Sequence, residues 1–297
     1  MPPRVSFLGL GAIGTPMASH LVGRYDLAVW NRTAARAEVF VQQHGGRAVP
    51  TPRAAATGSS VVFTCLPTSR DLERLLDGPD GLEGGLERGA LLIDCTSGDP
   101  ATSIRIAQRL AMRGVGFIDA PVSGGTNGAA AGTLTVMAGG AEADVQRGRP
   151  YLESFATRIE HVGPVGAGHA LKAINNSLLA VNILALAEGL AGLAKAGVAP
   201  RKALEVLNAS SGRSFVSEVL VPERVLTGAF PNTFRLALLA KDVGIGVQLL
   251  ESQHVGGPMI SLAAELFRAA RAALGEEADY LEAIKLIERQ AGVELRG

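Results

Sequence analysis

A lysine and two asparagines stand near the start of a long apolar stretch, "HALKAINNSLLAVNILALAEGLAGLA" (169–194). A buried ammonium group costs free energy unless it is paired or used, so Lys172 is a candidate for chemistry. At about 100° per residue, His169, Lys172, Asn175, Asn176 and Asn182 fall within an arc of about 140° of a helix. One face of this predicted helix is therefore polar, and the rest is apolar core.

A second motif with a possible functional role is the glycine pattern near the start of the chain, in "FLGLGAIGTPM". Its spacing, G-x-G-x-x-G directly after a predicted strand and at the start of a helix, is typical of dinucleotide binding. Gly9 allows the tight turn, Gly11 lets the backbone approach a pyrophosphate, and Gly14 lets helix and strand pack closely. The free N–H groups of the helix start favour the anion. We predict that the cofactor-binding residues here are Gly9, Gly11, Ala12, Ile13 and Gly14.

The second strand ends in Asn31, Arg32 and Thr33, where an NAD site usually has an acidic residue for the ribose 2′-hydroxyl. This segment has no carboxylate to repel a 2′-phosphate. The planar guanidinium group of Arg32 has several N–H donors that could bind such a phosphate. The segment therefore favours NADP(H), with NAD(H) still possible. Later strands end in small polar loops, which predict that Leu66, Pro67 and Thr96 line the nucleotide crevice.

Two patterns of secondary structure divide the chain. Short β-branched or aromatic runs (4–10, 27–31, 61–66, 91–96, 116–122, 134–140 and 158–163) alternate with helical segments (15–23, 33–44, 69–76, 100–113 and 142–154). After them, 167–196, 200–209, 214–226, 233–252, 257–273 and 277–290 all indicate helices. The alternation predicts an α/β Rossmann domain with a mostly parallel sheet over residues 1–164. An all-helical domain led by a long spine helix is predicted over 165–297.

Composition narrows the class of function. The 297 residues are 47% apolar, and 28 basic residues balance 28 acidic ones. Without a basic field, nucleic-acid binding is not expected. We interpret 177–194 as a buried helix of a soluble protein and not as a membrane span. Cys65 and Cys95 each end an apolar run, which predicts reduced core thiols and a cytoplasmic protein, and no metal site is expected.

The loop in "DAPVSGGTNGAAAGTLTVMAGG" (119–140) offers a hydroxyl and exposed backbone N–H groups at a strand end. Ser123, Gly124 and Gly125 could hold a carboxylate in such a turn. Taken alone, the segment is equally compatible with a glycine-rich surface turn.

Six segments occur together and in order: "FLGLGAIGTPM", "NRT", "DAPVSGG", "GTLTVMAGG", "GAGHALKAINN" and "FRLALLAKDVGI". This combination resembles the β-hydroxyacid dehydrogenase family, of 3-hydroxyisobutyrate dehydrogenase type. That family also holds tartronate semialdehyde reductases and glyoxylate/succinic semialdehyde reductases. The resemblance covers nearly the whole chain, and it departs from many relatives at Ile13, where they have methionine.

The resemblance implies roles for residues in this chain. Lys172 would be the catalytic acid/base, Asn176 would orient substrate or lysine, and Ser123, Gly124 and Gly125 would bind the substrate carboxylate. Phe234, Lys241 and Asp242 would close the site from the helical domain, with Lys241 on the cofactor side. The resemblance also implies homodimers or homotetramers and a preference for NADPH in relatives that carry "NRT".

The residues around Lys172 disfavour two related classes of enzyme. 6-Phosphogluconate dehydrogenases carry K-x-x-H-N, whereas this chain has Asn175 in place of the histidine, and imine reductases usually lack the lysine. A non-catalytic NADP-binding protein is the alternative from a different class. We expect hydride transfer between NADP(H) and a short carboxylate-bearing substrate. The first choice is 3-hydroxyisobutyrate, while glyoxylate, succinic semialdehyde and tartronate semialdehyde remain open.

Overall fold

The computed structural model describes residues 2–297. These residues form two compact units, of which the first ends at Lys172 and the second begins at Ala173. The division falls inside one helix, later than the 164/165 boundary that the sequence suggests. The reason is local: the first turn of that helix hydrogen-bonds to Asp119 of the first unit.

The first unit is built on a nine-stranded sheet. The strands are β1 (Arg4–Leu8), β2 (Asp26–Trp30), β3 (Arg47–Ala48), β4 (Val61–Thr64), β5 (Leu91–Asp94), β6 (Gly116–Asp119), β7 (Val122–Ser123), β8 (Leu134–Gly139) and β9 (Ala156–Gly163). Their order is β3-β2-β1-β4-β5-β6-β8-β7, with β9 also paired to β8. All pairs are parallel except β6 with β8 and β7 with β8. The mostly parallel sheet that the sequence predicts is confirmed.

Helices cover both faces of this sheet: α1 (Gly14–Ser19), α2 (Ala34–His44), α3 (Pro52–Ala56), α4 (Ser69–Leu76), α5 (Pro100–Ala111), α6 (Gly125–Ala131) and α7 (Glu142–Leu152). A short 3₁₀ segment, Leu82–Gly85, follows α4. Alternate residues of a strand point to opposite faces. Accordingly, Val61 and Phe63 of β4 lie in one apolar cluster and Val62 lies in another. Burial on both faces explains why the central strands are continuous apolar runs.

The remaining helices are α8 (Ala167–Lys195), α9 (Pro200–Asn208), α10 (Leu236–Ser252), α11 (Pro258–Leu274) and α12 (Ile284–Ala291). A π-helical segment, Val216–Val225, precedes α10, and a 3₁₀ turn, Tyr280–Ala283, precedes α12. Residues of the second unit form one apolar core that includes Ile183, Leu239 and Phe267. The all-helical character predicted for this part of the chain is confirmed.

Helix α8 has 29 residues, a length of about 43 Å. By length and composition alone it could cross a membrane, but the core helix of a soluble protein meets the same criteria. Only 33% of its most apolar window is buried within the chain. Ile183 and Leu190 are fully buried in the apolar core of the second unit, whereas Leu178 on the same helix is 54% exposed, so within one chain the segment 177–194 is buried along only part of its surface.

Candidate functional site

The glycine turn after β1 has the shape that a dinucleotide requires. Gly9 has φ +106°, and a Cβ on it would lie 2.2 Å from the Cys65 carbonyl oxygen. A Cβ on Gly14 would lie 2.0 Å from the Gly9 carbonyl oxygen, whereas a Cβ on Gly11 would meet no atom within 4 Å. Gly9 and Gly14 thus allow tight packing, and Gly11 presents its backbone to open space. The turn, with exposed Ala12 and half-buried Ile13 before α1, fits a pyrophosphate at a helix start.

After β2, the Asn31 side chain stabilises the turn, and the Arg32 side chain faces solvent. The Asn31 side-chain oxygen accepts a hydrogen bond from the Leu10 N–H at 3.0 Å, and its amide donates to the Thr33 carbonyl at 3.0 Å. Thr33 precedes α2 without a side-chain cap. The Arg32 side chain is 83% exposed, and its Nη1 lies 4.0 Å from Oδ1 of Asp71. A carboxylate therefore does stand beside Arg32, but it comes from α4, where the local sequence after β2 could not reveal it.

The loops after β4 and β5 are tied together by a buried aspartate. Oδ1 of Asp94 accepts from the Thr64 hydroxyl at 2.8 Å and from the Thr96 N–H at 3.1 Å. The Thr96 hydroxyl in turn accepts from the Leu66 N–H at 3.0 Å. Thr96 is only 1% exposed, so it acts by fixing the loop. Leu66 is half-buried and Pro67 exposed, and these two can form the surface of the crevice.

Burial raises the pKa of the two thiols beside this network. The pKa of Cys65 rises to about 12, through burial first and the nearby Asp94 carboxylate second. The pKa of Cys95 also lies well above its usual value, through burial and then the neighbouring Cys65 and Asp94. Both cysteines are free thiols. They serve as small packing residues at the strand ends and are poor nucleophiles at neutral pH.

A second buried polar cluster anchors the start of α8. The Asp119 carboxylate, at the end of β6, accepts from the Gly166 N–H at 2.7 Å and from the His169 N–H at 2.8 Å. Burial raises the pKa of Asp119, while His169 and the backbone N–H groups act in the opposite direction. Nδ1 of the fully buried His169 lies 2.7 Å from the Ser103 hydroxyl, and its Nε2 lies 3.9 Å from Oδ2 of Asp94.

This cluster fixes the orientation of the turn that carries Lys172. Lys172 is half-buried and lies one turn beyond His169 in α8. The sequence does not single out Asp94, Ser103 or Asp119 as functional. The available signal was an aspartate at the end of each of two otherwise apolar strands, "LLID" and "GFID".

The segment Ser123–Gly125 lies at the boundary of β7 and α6. Ser123 pairs with Thr135 of β8, and α6 begins at Gly125. Gly124 and Gly125 have φ values of +132° and +63°. The first N–H groups of a helix have no acceptor within it, so this turn exposes donors suited to a carboxylate. The sequence predicts a loop over this stretch, whereas the structure has the helix α6 there.

Within the second unit, three of the predicted residues come together. Nδ2 of Asn176 donates to Oδ2 of Asp242 at 2.6 Å, and Nζ of Lys241 lies 3.0 Å from Oδ1 of Asp242. Asn175 donates to the Asn176 side-chain oxygen at 3.1 Å. Asp242 is 2% exposed and Asn176 is 3% exposed. The Asp242 carboxylate therefore holds an amide and an ammonium group in place.

Phe234 belongs to a different contact set in this unit. Its ring packs edge-on against Tyr280 at a centroid distance of 5.7 Å, and its N–H donates to Oδ2 of Asp279 at 3.2 Å. Burial raises the pKa of Tyr280 to about 12, with the Arg224 charge acting against burial. Phe234 is half-buried, and its position is set by a buried aspartate that also caps the 3₁₀ turn.

The mostly parallel sheet and the glycine turn are together typical of dehydrogenases that use a nicotinamide nucleotide. Residues 4–163 match the family model for the NAD-binding domain of 6-phosphogluconate dehydrogenase. Residues 166–287 match the model described as NAD-binding of NADP-dependent 3-hydroxyisobutyrate dehydrogenase.

Individual relatives are similar over most of their length. A 2-(hydroxymethyl)glutarate dehydrogenase of Eubacterium barkeri is 36% identical, over 99% of this chain and 98% of that protein. An NAD-dependent L-serine dehydrogenase of Pseudomonas aeruginosa is 36% identical, over 89% and 91%. The structure of a Mycobacterium tuberculosis 3-hydroxyisobutyrate dehydrogenase with L-serine is 30% identical, with a TM-score of 0.87 over 97% of this chain and 99% of that one. The chain belongs to the β-hydroxyacid dehydrogenase family, of 3-hydroxyisobutyrate dehydrogenase type.

Proposed function

We propose that this protein transfers a hydride reversibly between NADP(H) and a short β-hydroxy acid or its semialdehyde, most similar to 3-hydroxyisobutyrate. The observation that carries the proposal is the placement of Lys172 on α8, one turn after the buried anchor formed by His169 and Asp119. Family membership supports an oxidoreductase acting on a CH–OH group of a small hydroxy acid.

In the proposed mechanism, the bound nicotinamide supplies the hydride chemistry, and the protein supplies position and protons. During reduction, negative charge grows on the carbonyl oxygen, and the Lys172 ammonium group stabilises it and donates a proton. During oxidation, neutral Lys172 accepts the hydroxyl proton. In the second unit, the Asp242 carboxylate fixes the amide of Asn176, which we propose orients the substrate or the lysine.

The proposed preference for NADP(H) rests on Arg32. Its guanidinium group is exposed at the end of β2, where the 2′-substituent of the adenosine ribose binds in this fold. NAD(H) is the alternative cofactor, because one similar protein is named as NAD-dependent. Direct comparison of the two cofactors under identical conditions decides between them.

The proposed substrate carries a carboxylate that binds at Ser123–Gly125. The test is a steady-state panel with both cofactors. It contains 3-hydroxyisobutyrate, L-serine, 2-(hydroxymethyl)glutarate, tartronate semialdehyde, succinic semialdehyde and glyoxylate. We expect 3-hydroxyisobutyrate to give the highest kcat/KM. Replacement of the carboxylate by a neutral amide should cost about 2–4 kcal/mol in kcat/KM, because donors that the bound substrate covers would then lose their charged partner.

Two outcomes of the panel would overturn parts of this proposal. If uncharged alcohols of the same length turn over as well as the acids, the carboxylate site at Ser123–Gly125 is wrong. If the protein binds NADPH but oxidises or reduces none of the compounds, the alternative of a non-catalytic NADP-binding protein replaces it.

We also propose that the protein works as a homodimer or homotetramer, in the cytoplasm. The proposal for assembly is supported by the apolar surface that α8 leaves uncovered within one chain. Met259, Leu262 and Leu266 form a further exposed apolar stripe on α11. The cytoplasmic location stays a prediction, which cell fractionation tests.

A further inference from the structure

The structure assigns a cofactor-discriminating role to Asp71: we propose that its carboxylate opposes the 2′-phosphate of NADP(H) at Arg32 and so limits the preference for that cofactor. This inference rests on the proposed function, because it concerns the same nucleotide site. It differs from the sequence-based expectation, in which no acidic group stands near Arg32.

The strand order brings Asp71 to the nucleotide site. β2 and β4 flank β1, where Leu8 pairs with Trp30 on one side and with Thr64 on the other. Arg32 follows β2, and Asp71 lies in the first turn of α4, which follows β4. Both charges therefore lie at the carboxyl edge of the sheet, on opposite sides of the glycine turn, and they reach each other at 4.0 Å.

The two side chains differ in how firmly they are held. Oδ2 of Asp71 accepts from the Thr68 hydroxyl at 2.6 Å, and the Asp71 N–H donates back to the same hydroxyl oxygen at 3.1 Å. Its other oxygen, Oδ1, faces Arg32, and the Asp71 side chain is 24% exposed. Arg32 is 83% exposed and can turn toward a ligand. The carboxylate is thus a fixed negative charge and the guanidinium an adjustable positive one.

This difference has a consequence for the two cofactors. A phosphate that pairs with Arg32 is brought within a few ångströms of a carboxylate that the Thr68 hydroxyl holds in place. NAD(H) has a hydroxyl in place of the phosphate and meets no repulsion, and a carboxylate can accept a hydrogen bond from that hydroxyl. Asp71 therefore shifts the balance toward NAD(H), and Arg32 shifts it toward NADP(H).

The test is the affinity of Asp71→Asn for 2′,5′-ADP and for 5′-ADP, measured by calorimetry. These probes differ in the 2′-phosphate and need no turnover. Asparagine keeps an oxygen for the Thr68 hydroxyl, and an unchanged Tm would show that α4 is intact. Two unit charges about 4 Å apart in water interact by about 1 kcal/mol, so we expect 2′,5′-ADP to bind about fivefold tighter. Binding of 5′-ADP should be unchanged or slightly weaker.

A matched control is Glu73→Gln, which removes a charge from the same helix. Glu73 pairs with Arg105 at 3.0 Å, so its removal should change the affinity ratio of the two probes by less than twofold. The effect of Asp71→Asn should also shrink between about 20 and 300 mM salt, because exposed charges are screened.

Several results would overturn the inference, and they separate it from the proposed function. An unchanged ratio of the association constants of 2′,5′-ADP and 5′-ADP in Asp71→Asn would mean that Asp71 does not oppose the phosphate, while the nucleotide site itself stands. A ratio that falls would show that Asp71 instead holds Arg32 ready for the phosphate. If neither probe binds the unaltered protein, the nucleotide site and the inference are both wrong.

Discussion

At the scale of single residues, the decisive feature is that buried acids hold other groups while the reactive candidates stay half-buried or exposed. Asp94, Asp119 and Asp242 are all at most 2% exposed, and each accepts hydrogen bonds from side chains or backbone. Lys172 is half-buried and Arg32 exposed. Of the two proposed functional residues, Lys172 thus lies on a helix whose start is held by the buried Asp119, whereas the acid beside Arg32 is the partly exposed Asp71.

Replacement of Lys172 by alanine tests the proposed proton donor. Turnover should fall about 10²–10⁴-fold, the usual scale for general acid–base catalysis. Binding of NADPH, followed by its fluorescence, should change little, because the glycine turn is untouched. The matched control is Lys202→Ala, an exposed lysine of α9 paired with Glu205. An unchanged kcat on a good substrate would mean that Lys172 is not the proton donor and has a structural role.

Replacement of Arg32 by alanine tests the proposed cofactor preference. The affinity for NADPH should weaken by about 1.5–3 kcal/mol, the range for a charged hydrogen bond, and that for NADH should stay nearly constant. Arg47→Ala serves as control, since Arg47 lies on the edge strand β3. Equal losses for both cofactors would contradict the assignment.

At the scale of elements, the glycine turn separates packing from ligand contact. In Gly14→Ala, the new Cβ would lie 2.0 Å from a backbone oxygen, so we expect about 1–3 kcal/mol of destabilisation and a lower Tm without ligand. In Gly11→Ala, the Cβ enters open space, so the Tm should hold while NADPH binding weakens. Equal Tm losses in both variants would refute this distinction.

The thiols at the ends of β4 and β5 provide a pH test. Because the pKa of Cys65 is about 12 in the fold and about 8.5 in an unfolded chain, the folded state favours the neutral thiol. The stability that this group contributes is complete below about pH 8.5 and is lost as pH rises toward 12. At pH 8, iodoacetamide should modify Cys65 and Cys95 at least about 100-fold more slowly than in urea. Rapid alkylation of the folded protein would contradict the raised pKa of these thiols.

Some elements could be predicted from the sequence and others could not. The strands of the parallel sheet are continuous apolar runs because both faces are covered, so β1, β4 and β5 stand out. In contrast, β3 has two residues, both exposed, and α6 is "GTNGAAA", with two glycines and no large apolar residue. The hydrophobic spacing of 214–226 predicts a helix but does not distinguish the π-helical hydrogen bonding that the structure has over Val216–Val225.

In the candidate site, too, some residues could be predicted from the sequence and some contacts could not. Motif residues such as Gly9, Gly14 and Lys172 have recognisable neighbours in the sequence. Contacts such as Asp71 with Arg32, or Ser103 with His169, join elements that are far apart in the chain. Their hydrogen bonds depend on strand order and loop path, which local patterns do not specify.

At the scale of the whole molecule, the surface of α8 that one chain leaves uncovered leads to a prediction about assembly. Leu178→Glu places a charge in a surface that we propose is buried between copies, so the mass in light scattering should fall toward that of a monomer. Val206→Glu is the matched control, since Val206 of α9 is similarly exposed, at 56% against 54%. A monomeric mass for the unaltered protein at micromolar concentration would contradict the proposed assembly.

The anchoring of α8 by Asp119 also bears on how the chain folds as it is made. Asp119 precedes its partner His169 by 50 residues. At about 5–20 residues per second, the ribosome takes about 3–10 s to synthesise this interval. Strands β7, β8 and β9 are translated within this interval, so the carboxylate gains its two backbone donors, from Gly166 and His169, only after the last strand of the sheet has been made. A buried carboxylate at the centre of the first unit therefore receives its backbone partners from residues that the ribosome adds after the final strand.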